Sequence, residues 1–365
     1  MTTAAETIEE QAGGLAERLF GQVIGWVELT TVYVGVALGL YDAVADKGAV
    51  TAQGLADAAG IGERYAREWL EQQSVADILT VDDVKKAPED RVYSISEAHR
   101  MVLTDPESPF SMIGPAWIPG TFARALPALL EAYRTGKGVP LTEYGEEFIV
   151  AQALFNRPAY KHFLADEWLA AVPDVKDRLE ADPPARIVDV ACGAGWSSIS
   201  LAQAFPTATV DGIDLDEASI ATARKNAAEA GVTDRVNFEV RDASDPKLAG
   251  RYDVAFIFEA LHDMSQPVNV LAAVRGLVGE GGTVIVMDEK VQDEFTAPGD
   301  EIERFMYGAS VLHCLPVGLA DEPSVGTGTV LRTDTLRRYA EEAGFTSVEV
   351  LPIEADFFRF YRLGG

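Results

Sequence analysis

The feature that most limits the fold is a short apolar segment, Arg186-Ile187-Val188-Asp189-Val190-Ala191. It runs directly into Cys192-Gly193-Ala194-Gly195 and then into an amphipathic stretch from Trp196 to Phe205. An apolar run of that length, followed by a turn, reads as a short strand, and the stretch after it as a helix. Glycines in the turn allow dihedrals closed to other residues and let the backbone pass close to a ligand. The unpaired N–H groups at the helix start attract polar or anionic groups.

A second strand, Thr207 to Ile213, ends in Asp214, 25 residues after Asp189. A carboxylate at that strand tip suits the two hydroxyls of a ribose. The glycine turn alone says little; with the strand before it, the helix after it and the acid at the next tip it becomes a nucleoside-binding signature. Two further strands keep the rhythm. Val236–Val240 ends at Arg241-Asp242-Ala243, and Asp253–Phe258 ends at Glu259-Ala260-Leu261-His262-Asp263. Ligands of open parallel sheets bind at the carboxyl ends of the strands, so function is expected there.

With 365 residues, the chain exceeds one ordinary core and is expected to form more than one domain. Toward the N-terminus, Val34–Asp46 reads as a helix, Thr51–Gly60 as a second ending at glycine, and Glu63–Ala76 as a third with Ala66, Leu70 and Val75 on one face. Ile78–Val81 and Arg91–Ser96 follow as alternating strands. Three helices and a hairpin are the winged-helix order, which keeps open a ligand-sensing transcription regulator as the alternative function. A DNA-reading third helix needs basic residues, yet Arg64 and Arg67 stand among Glu63, Glu68, Glu71 and Asp77. The whole chain sets 30 basic against 58 acidic residues, a net charge of -28 that repels phosphate backbones and anionic membranes. Neither nucleic acid nor a membrane is an expected partner.

The most apolar region, Leu29–Tyr41, holds 13 uncharged residues, short of the roughly 18 that a membrane span needs. A buried helix is expected instead. Cys192 and Cys314 have no metal-ligand spacing, so neither a disulfide framework nor a zinc site is expected. The start, Met-Thr-Thr-Ala-Ala-Glu, has no basic segment followed by an apolar run, and a cytoplasmic protein without a secretory signal is expected.

Between Pro106 and Arg178 the pattern is helical and rich in Phe110, Met112, Trp117, Phe122, Phe148, Phe155, Phe163 and Trp168, which suit a substrate pocket or plain core. Asp182-Pro183-Pro184-Ala185 breaks that pattern. The expected domains are therefore 1–105, winged-helix-like; 106–182, a helical connector contributing to a substrate pocket; and 183–365, the nucleoside-binding domain. Glu301–Val325, with Met306, Tyr307, His313 and Pro316, suits an irregular wall over a second ligand.

Asp189-Val190-Ala191-Cys192-Gly193-Ala194-Gly195, Gly212-Ile213-Asp214, Asp242-Ala243 and the strand Gly281–Val286 together resemble the class I S-adenosylmethionine-dependent methyltransferases, from Ile187 to Leu363. The resemblance implies an α/β, Rossmann-like seven-stranded sheet behind the winged-helix domain. A helix at Asp334–Ala343 and strands at Thr346–Leu351 and Phe357–Tyr361 supply the antiparallel pair that closes it. S-adenosylmethionine is the implied cofactor and S-adenosylhomocysteine the product. Gly193 and Gly195, with Cys192 in the same turn, would approach the methionine part, Asp214 the ribose, Asp242 the adenine amino group and Asp189 the ammonium. Their neighbours Leu215, Ala243, Phe258 and Glu259 complete the expected cofactor wall. Ala191 stands where this motif usually begins with glycine.

As a whole, the chain resembles two-domain small-molecule O-methyltransferases, in which the N-terminal domain usually builds a dimer, so a homodimer acting on a small molecule is expected. Leu261-His262-Asp263 is similar to their Leu-His-Asp-Trp segment, whose histidine is the general base, with Met264 replacing the tryptophan. Of the two acids that flank this base, Asp288 matches the first and the second falls at Val330. Removing a hydroxyl proton in this way contributes on the order of 10²–10⁴-fold. No metal is expected. His99, His162 and His313 read as structural, and transfer to nitrogen or carbon, or use of the cofactor without methyl transfer, is the alternative within the fold.

Overall fold

The computed structural model describes residues 7–245 and 252–365. The six N-terminal residues on which the reading of no secretory signal rests lie outside the described residues. Two compact units divide the chain, Met1–Gly120 and Thr121–Gly365.

The first unit opens with a helix that the sequence reading missed, α1 (Ile8–Ala37), started by a capping box in which Thr7 and Glu10 satisfy each other's backbone. It stops at Leu38-Gly39, and α2 (Leu40–Lys47) begins afresh, so the expected helix Val34–Asp46 is two helices broken by a left-handed glycine. Within α1 only Val32 and Gly35 are buried, while Leu19, Phe20, Val23, Trp26 and Val27 are exposed. The apolar stretch thus continues well before Leu29, and by length and composition alone α1 could cross a membrane. The argument from 13 residues does not hold for this helix.

Next come α3 (Ala52–Ala59), capped by Thr51 and ended by left-handed Gly60, and α4 (Glu63–Val75). Ala66, Trp69, Leu70 and Gln73 form the buried face of α4. Val75, expected there, is 89% exposed because the chain leaves the helix at Ala76. Tyr41 packs edge-on against Trp69 at 5.0 Å and its hydroxyl donates to buried Gln73. The hairpin β1 (Thr80–Val81) and β2 (Tyr93–Ser94) is shorter than the sequence suggested, and Tyr93 also bridges to Val50. After α5 (Glu97–Leu103), the helix α6 (Ile113–Thr135) contains the point of division.

The second unit holds α7 (Glu146–His162) and α8 (Pro173–Glu180), then alternates strands and helices: β3 (Arg186–Val190), α9 (Trp196–Ala204), β4 (Thr209–Asp214), α10 (Glu217–Ala230), β5 (Val236–Val240), β6 (Tyr252–Phe258), α11 (Pro267–Leu277) and β7 (Val278–Glu289). Helices α12 (Glu301–Ala309), α13 (Leu315–Gly318) and α14 (Thr333–Glu342) precede β8 (Ser347–Val350) and β9 (Phe358–Gly364). The segment expected as an irregular wall is therefore largely helical, with a π-helical turn, Ser310–Cys314, joining α12 to α13.

Strand order in the sheet is β5-β4-β3-β6-β7-β9-β8, parallel except for β9, which runs antiparallel to both neighbours. Side chains alternate across it. Ile187 joins the core packed under α9 and α10, whereas Val188 and Val190 join the opposite core with Leu271, Val274 and Leu336. Burial of both faces matches the apolar run from Val254 to Phe258 in β6 and, Asp189 apart, from Ile187 to Val190 in β3. Val190 pairs with Ile213 on one side and Ile257 on the other, which brings the three strand tips level.

Candidate active site

A cleft of about 770 Å³ lies over those tips. Its floor is the glycine turn. Ala191 sits at φ 58° and Gly195 at φ 81°, both left-handed, where a β-carbon is disfavoured. At Gly195 a β-carbon would also meet the Phe238 ring at 2.5 Å, whereas at Gly193, with φ 52°, it would enter open space.

Asp214 ties the turn to β4: its Oδ2 accepts from the Gly193 N–H at 2.8 Å and its Oδ1 from the Asp216 N–H at 2.9 Å. Burial raises its carboxyl and the backbone donors pull it back. Cys192, Gly193, Gly195, Asp214, Leu215, Asp242, Ala243, Phe258 and Glu259 all line this one cleft. Asp242 Oδ1 accepts from the backbone and hydroxyl of Ser244.

Asp189 is placed differently. Sharing the face of Ile187, it points beneath the turn, where Ser197 and Ser198 donate to its Oδ2 at 2.5 and 2.6 Å, and it does not line the cleft. Among the described residues its buried Oδ1 has no hydrogen-bond partner, and burial pushes the carboxyl up to about 6. Glu259, by contrast, does stand on the cleft wall, at φ 52° just beyond β6, and its Oε1 accepts from the Tyr160 hydroxyl at 3.0 Å. Burial pushes it up to about 7.

His262 lies close to Asp288, with Nδ1 2.9 Å from Asp288 Oδ1. The second acid is Glu289, its Oε2 also 2.9 Å from Nδ1; Val330 plays no such part. Nε2 faces Asp263 Oδ1 at 3.2 Å. The ring is 2% exposed and stands outside the cleft lining, with Asp263 in front of it. Burial alone would lower its pKa, but Glu289, Asp263 and Asp288 outweigh burial and hold the imidazole protonated. His262, Asp288 and Glu289 also hold their donor atoms within 4.8 Å of one another. The imidazolium supplies a positive charge to that set.

Farther along, the cleft is walled by Leu141, Ile149, Ala153, Met264 and Val317, with Gln152, Asn156, Asp263 and His313 as polar groups. The expected aromatic wall is absent from this lining: Phe148 and Trp168 are core, and Phe110 is 63% exposed. The smaller residues of α7 line the cavity instead. His313, read as structural, does line it, while Met306 is buried elsewhere and Tyr307 accepts from Arg332. The sequence gives no local sign of His313's position, because its neighbours Tyr144 and Phe148 come from far away in the chain.

Residues 181–343 match the family model described as a methyltransferase domain, and residues 28–105 match an Rv2258c-like winged HTH domain. The chain is 37% identical over 184 residues to the ubiquinone biosynthesis O-methyltransferase of Bordetella avium, covering 49% of this chain and 70% of that protein. The mitomycin 7-O-methyltransferase MmcR is similar in structure, with a TM-score of 0.67, 21% identity, and coverage of 97% of this chain and 99% of that one. Human N-acetylserotonin methyltransferase, solved with S-adenosylmethionine, gives a TM-score of 0.71 at 17% identity over the full length of both chains.

Proposed function

The chain belongs to the class I S-adenosylmethionine-dependent methyltransferases, and from that premise we propose that it methylates a hydroxyl oxygen of a small, largely apolar acceptor. The observation that carries this reading is the continuity of the cleft. It passes from the strand tips, past Glu259, into a half with apolar walls and polar groups at Asp263 and His313.

The cofactor fits the residues present. Open space above Gly193 leaves room for its methionine part against the turn. Asp214 keeps lone pairs for ribose hydroxyls after accepting one backbone N–H on each oxygen. Asp242 and Ala243 would flank the adenine, with Leu215 and Phe258 as apolar neighbours and Cys192 packing the turn from within. Glu259 is the carboxylate on the wall for the ammonium, and Asp189 adds its charge from beneath. Bound there, the cofactor supplies a methyl carbon made electrophilic by its sulfonium.

The protein's own work is to align the acceptor and manage one proton. A phenol with pKa about 10 keeps its proton at neutral pH, so removal concerted with transfer is favoured over full ionisation beforehand. His262, anchored by Asp288, acts from behind Asp263. Its positive charge holds the Asp263 carboxylate at the cleft wall, and that carboxylate is the group that takes the acceptor hydroxyl's proton.

Calorimetry with S-adenosylhomocysteine and mass analysis of phenol and amine mixtures test the reading together. We expect binding in the micromolar range and methylated phenols. Binding without methylation of any hydroxyl, but with methylated amines, overturns the oxygen assignment. In His262→Ala we expect turnover at least tenfold lower with cofactor affinity kept; unchanged turnover removes His262 from the proton chemistry.

A further inference from the structure

The acceptor half of the cleft contains a polar atom that nothing in the fold uses. His313 is 5% exposed and lines the cavity, and its Nε2 has no hydrogen-bond partner among the described residues. An unpaired buried polar atom is a standing cost, which a ligand that pairs with it removes. We propose that His313 is a specificity-determining residue of this site: its Nε2 hydrogen-bonds an uncharged oxygen substituent on a flat aromatic acceptor. The proposal rests on the methyltransferase reading for the identity of the cleft, not for the contact itself.

The setting fixes how the ring is presented. Its face stacks on Phe148 at 4.2 Å between centroids, and Tyr144 meets it edge-on at 4.8 Å. The Tyr144 hydroxyl is spent on the Leu312 carbonyl at 2.7 Å and is not available to the imidazole. Nδ1 lies 3.5 Å from Cys314 Sγ, which occupies the other nitrogen. A third ring, Phe122, stacks at 6.1 Å, so the imidazole has one nitrogen to offer a ligand, at an orientation set by three aromatic contacts.

The ring is also uncharged at neutral pH. Burial pushes His313 down to about 4; Asp263 pulls it up, and His262 pushes it further down. Burial keeps the Cys314 thiol and the Tyr144 hydroxyl protonated as well. A neutral imidazole in an apolar wall favours a hydroxyl or carbonyl oxygen and gives no ion pair to a carboxylate. The contact is thus a matter of acceptor recognition, distinct from the charged group at His262.

His313→Phe keeps a flat ring for Phe148 and removes the nitrogens; His313→Asn restores a polar group. The probes are catechol and 2-hydroxyacetophenone, which carry oxygen substituents, and toluene, which carries none, titrated by calorimetry with and without S-adenosylhomocysteine. We expect His313→Phe to weaken one or both oxygenated probes roughly three- to tenfold, the worth of a neutral hydrogen bond, and to leave toluene within twofold. His313→Asn should recover part of the loss, and the effect should be constant from pH 6 to 9. Equal weakening of toluene, no weakening of either oxygenated probe, or no binding of those probes to the unmodified protein overturns the proposal. Failure of S-adenosylhomocysteine to bind counts against the methyltransferase reading instead, and the titrations without it still decide the role of His313.

Discussion

Three residues of one turn lie in the left-handed region, and they do so for different reasons. Gly195 is held there by packing, because a β-carbon would strike Phe238 at 2.5 Å and Ala223 at 2.9 Å. Gly193 has no such neighbour, so its missing side chain serves the cleft and not the core. Ala191 shows that the turn tolerates a β-carbon at φ 58° for roughly 1–2 kcal/mol. The two glycines should then separate stability from binding. Gly195→Ala is expected to lower stability by about 3 kcal/mol or more, through strain and overpacking together. Gly193→Ala should cost only about 1–2 kcal/mol, yet weaken S-adenosylhomocysteine at least tenfold by filling the space over the turn. Thermal melts and calorimetry on both variants check this, and equal loss of stability with unchanged affinity would contradict the division.

Elements differ in how far their own residues announce them. Strands β3 and β6 were readable because burial on both faces leaves a largely apolar run, and the residues just beyond their ends line the cleft. The residues expected to meet the cofactor do line one cleft, Asp189 excepted: its alternation with Ile187 and Val188 fixes the face, but only packing shows Ser197 and Ser198 claiming it. Glu289, Asp263 and His313 were not legible, since their meaning depends on contacts between distant segments. Helix α1 escaped notice because its apolar residues face solvent in the single chain and form no narrow stripe. That exposure favours a homodimer through α1, in line with the expected role of the N-terminal domain. Contiguous apolar surface on one protomer commonly marks an interface. Phe20→Glu combined with Val23→Glu should convert a dimer to monomers in sedimentation velocity while leaving S-adenosylhomocysteine affinity within twofold. A monomeric unmodified protein, or one that floats with anionic vesicles, would point α1 to another use.

At the scale of the whole molecule, 58 acidic residues against 30 basic ones make the folded chain repel itself, and salt screens that repulsion over about 8–10 Å. Buried carboxyls respond to pH by another route. Glu259 and Asp189 are raised by burial to about 7 and about 6, above their unfolded values. Such groups add stability that is fully present below their unfolded pKa and lost as pH rises through the folded one. Apo protein should therefore melt lower at pH 7.5 than at pH 5, even at a salt concentration that suppresses surface repulsion. A cationic ligand beside Glu259 reverses the trend, because it favours the ionised carboxylate. Cofactor affinity should then rise on the order of tenfold between pH 5.5 and 7.5, following ionisation near 7. Glu259→Gln should flatten that profile and bind at the level of the protonated form. Isothermal titrations at fixed high salt across this range measure both; a profile equally steep in the variant would assign the titration to another group and take Glu259 out of the ammonium contact.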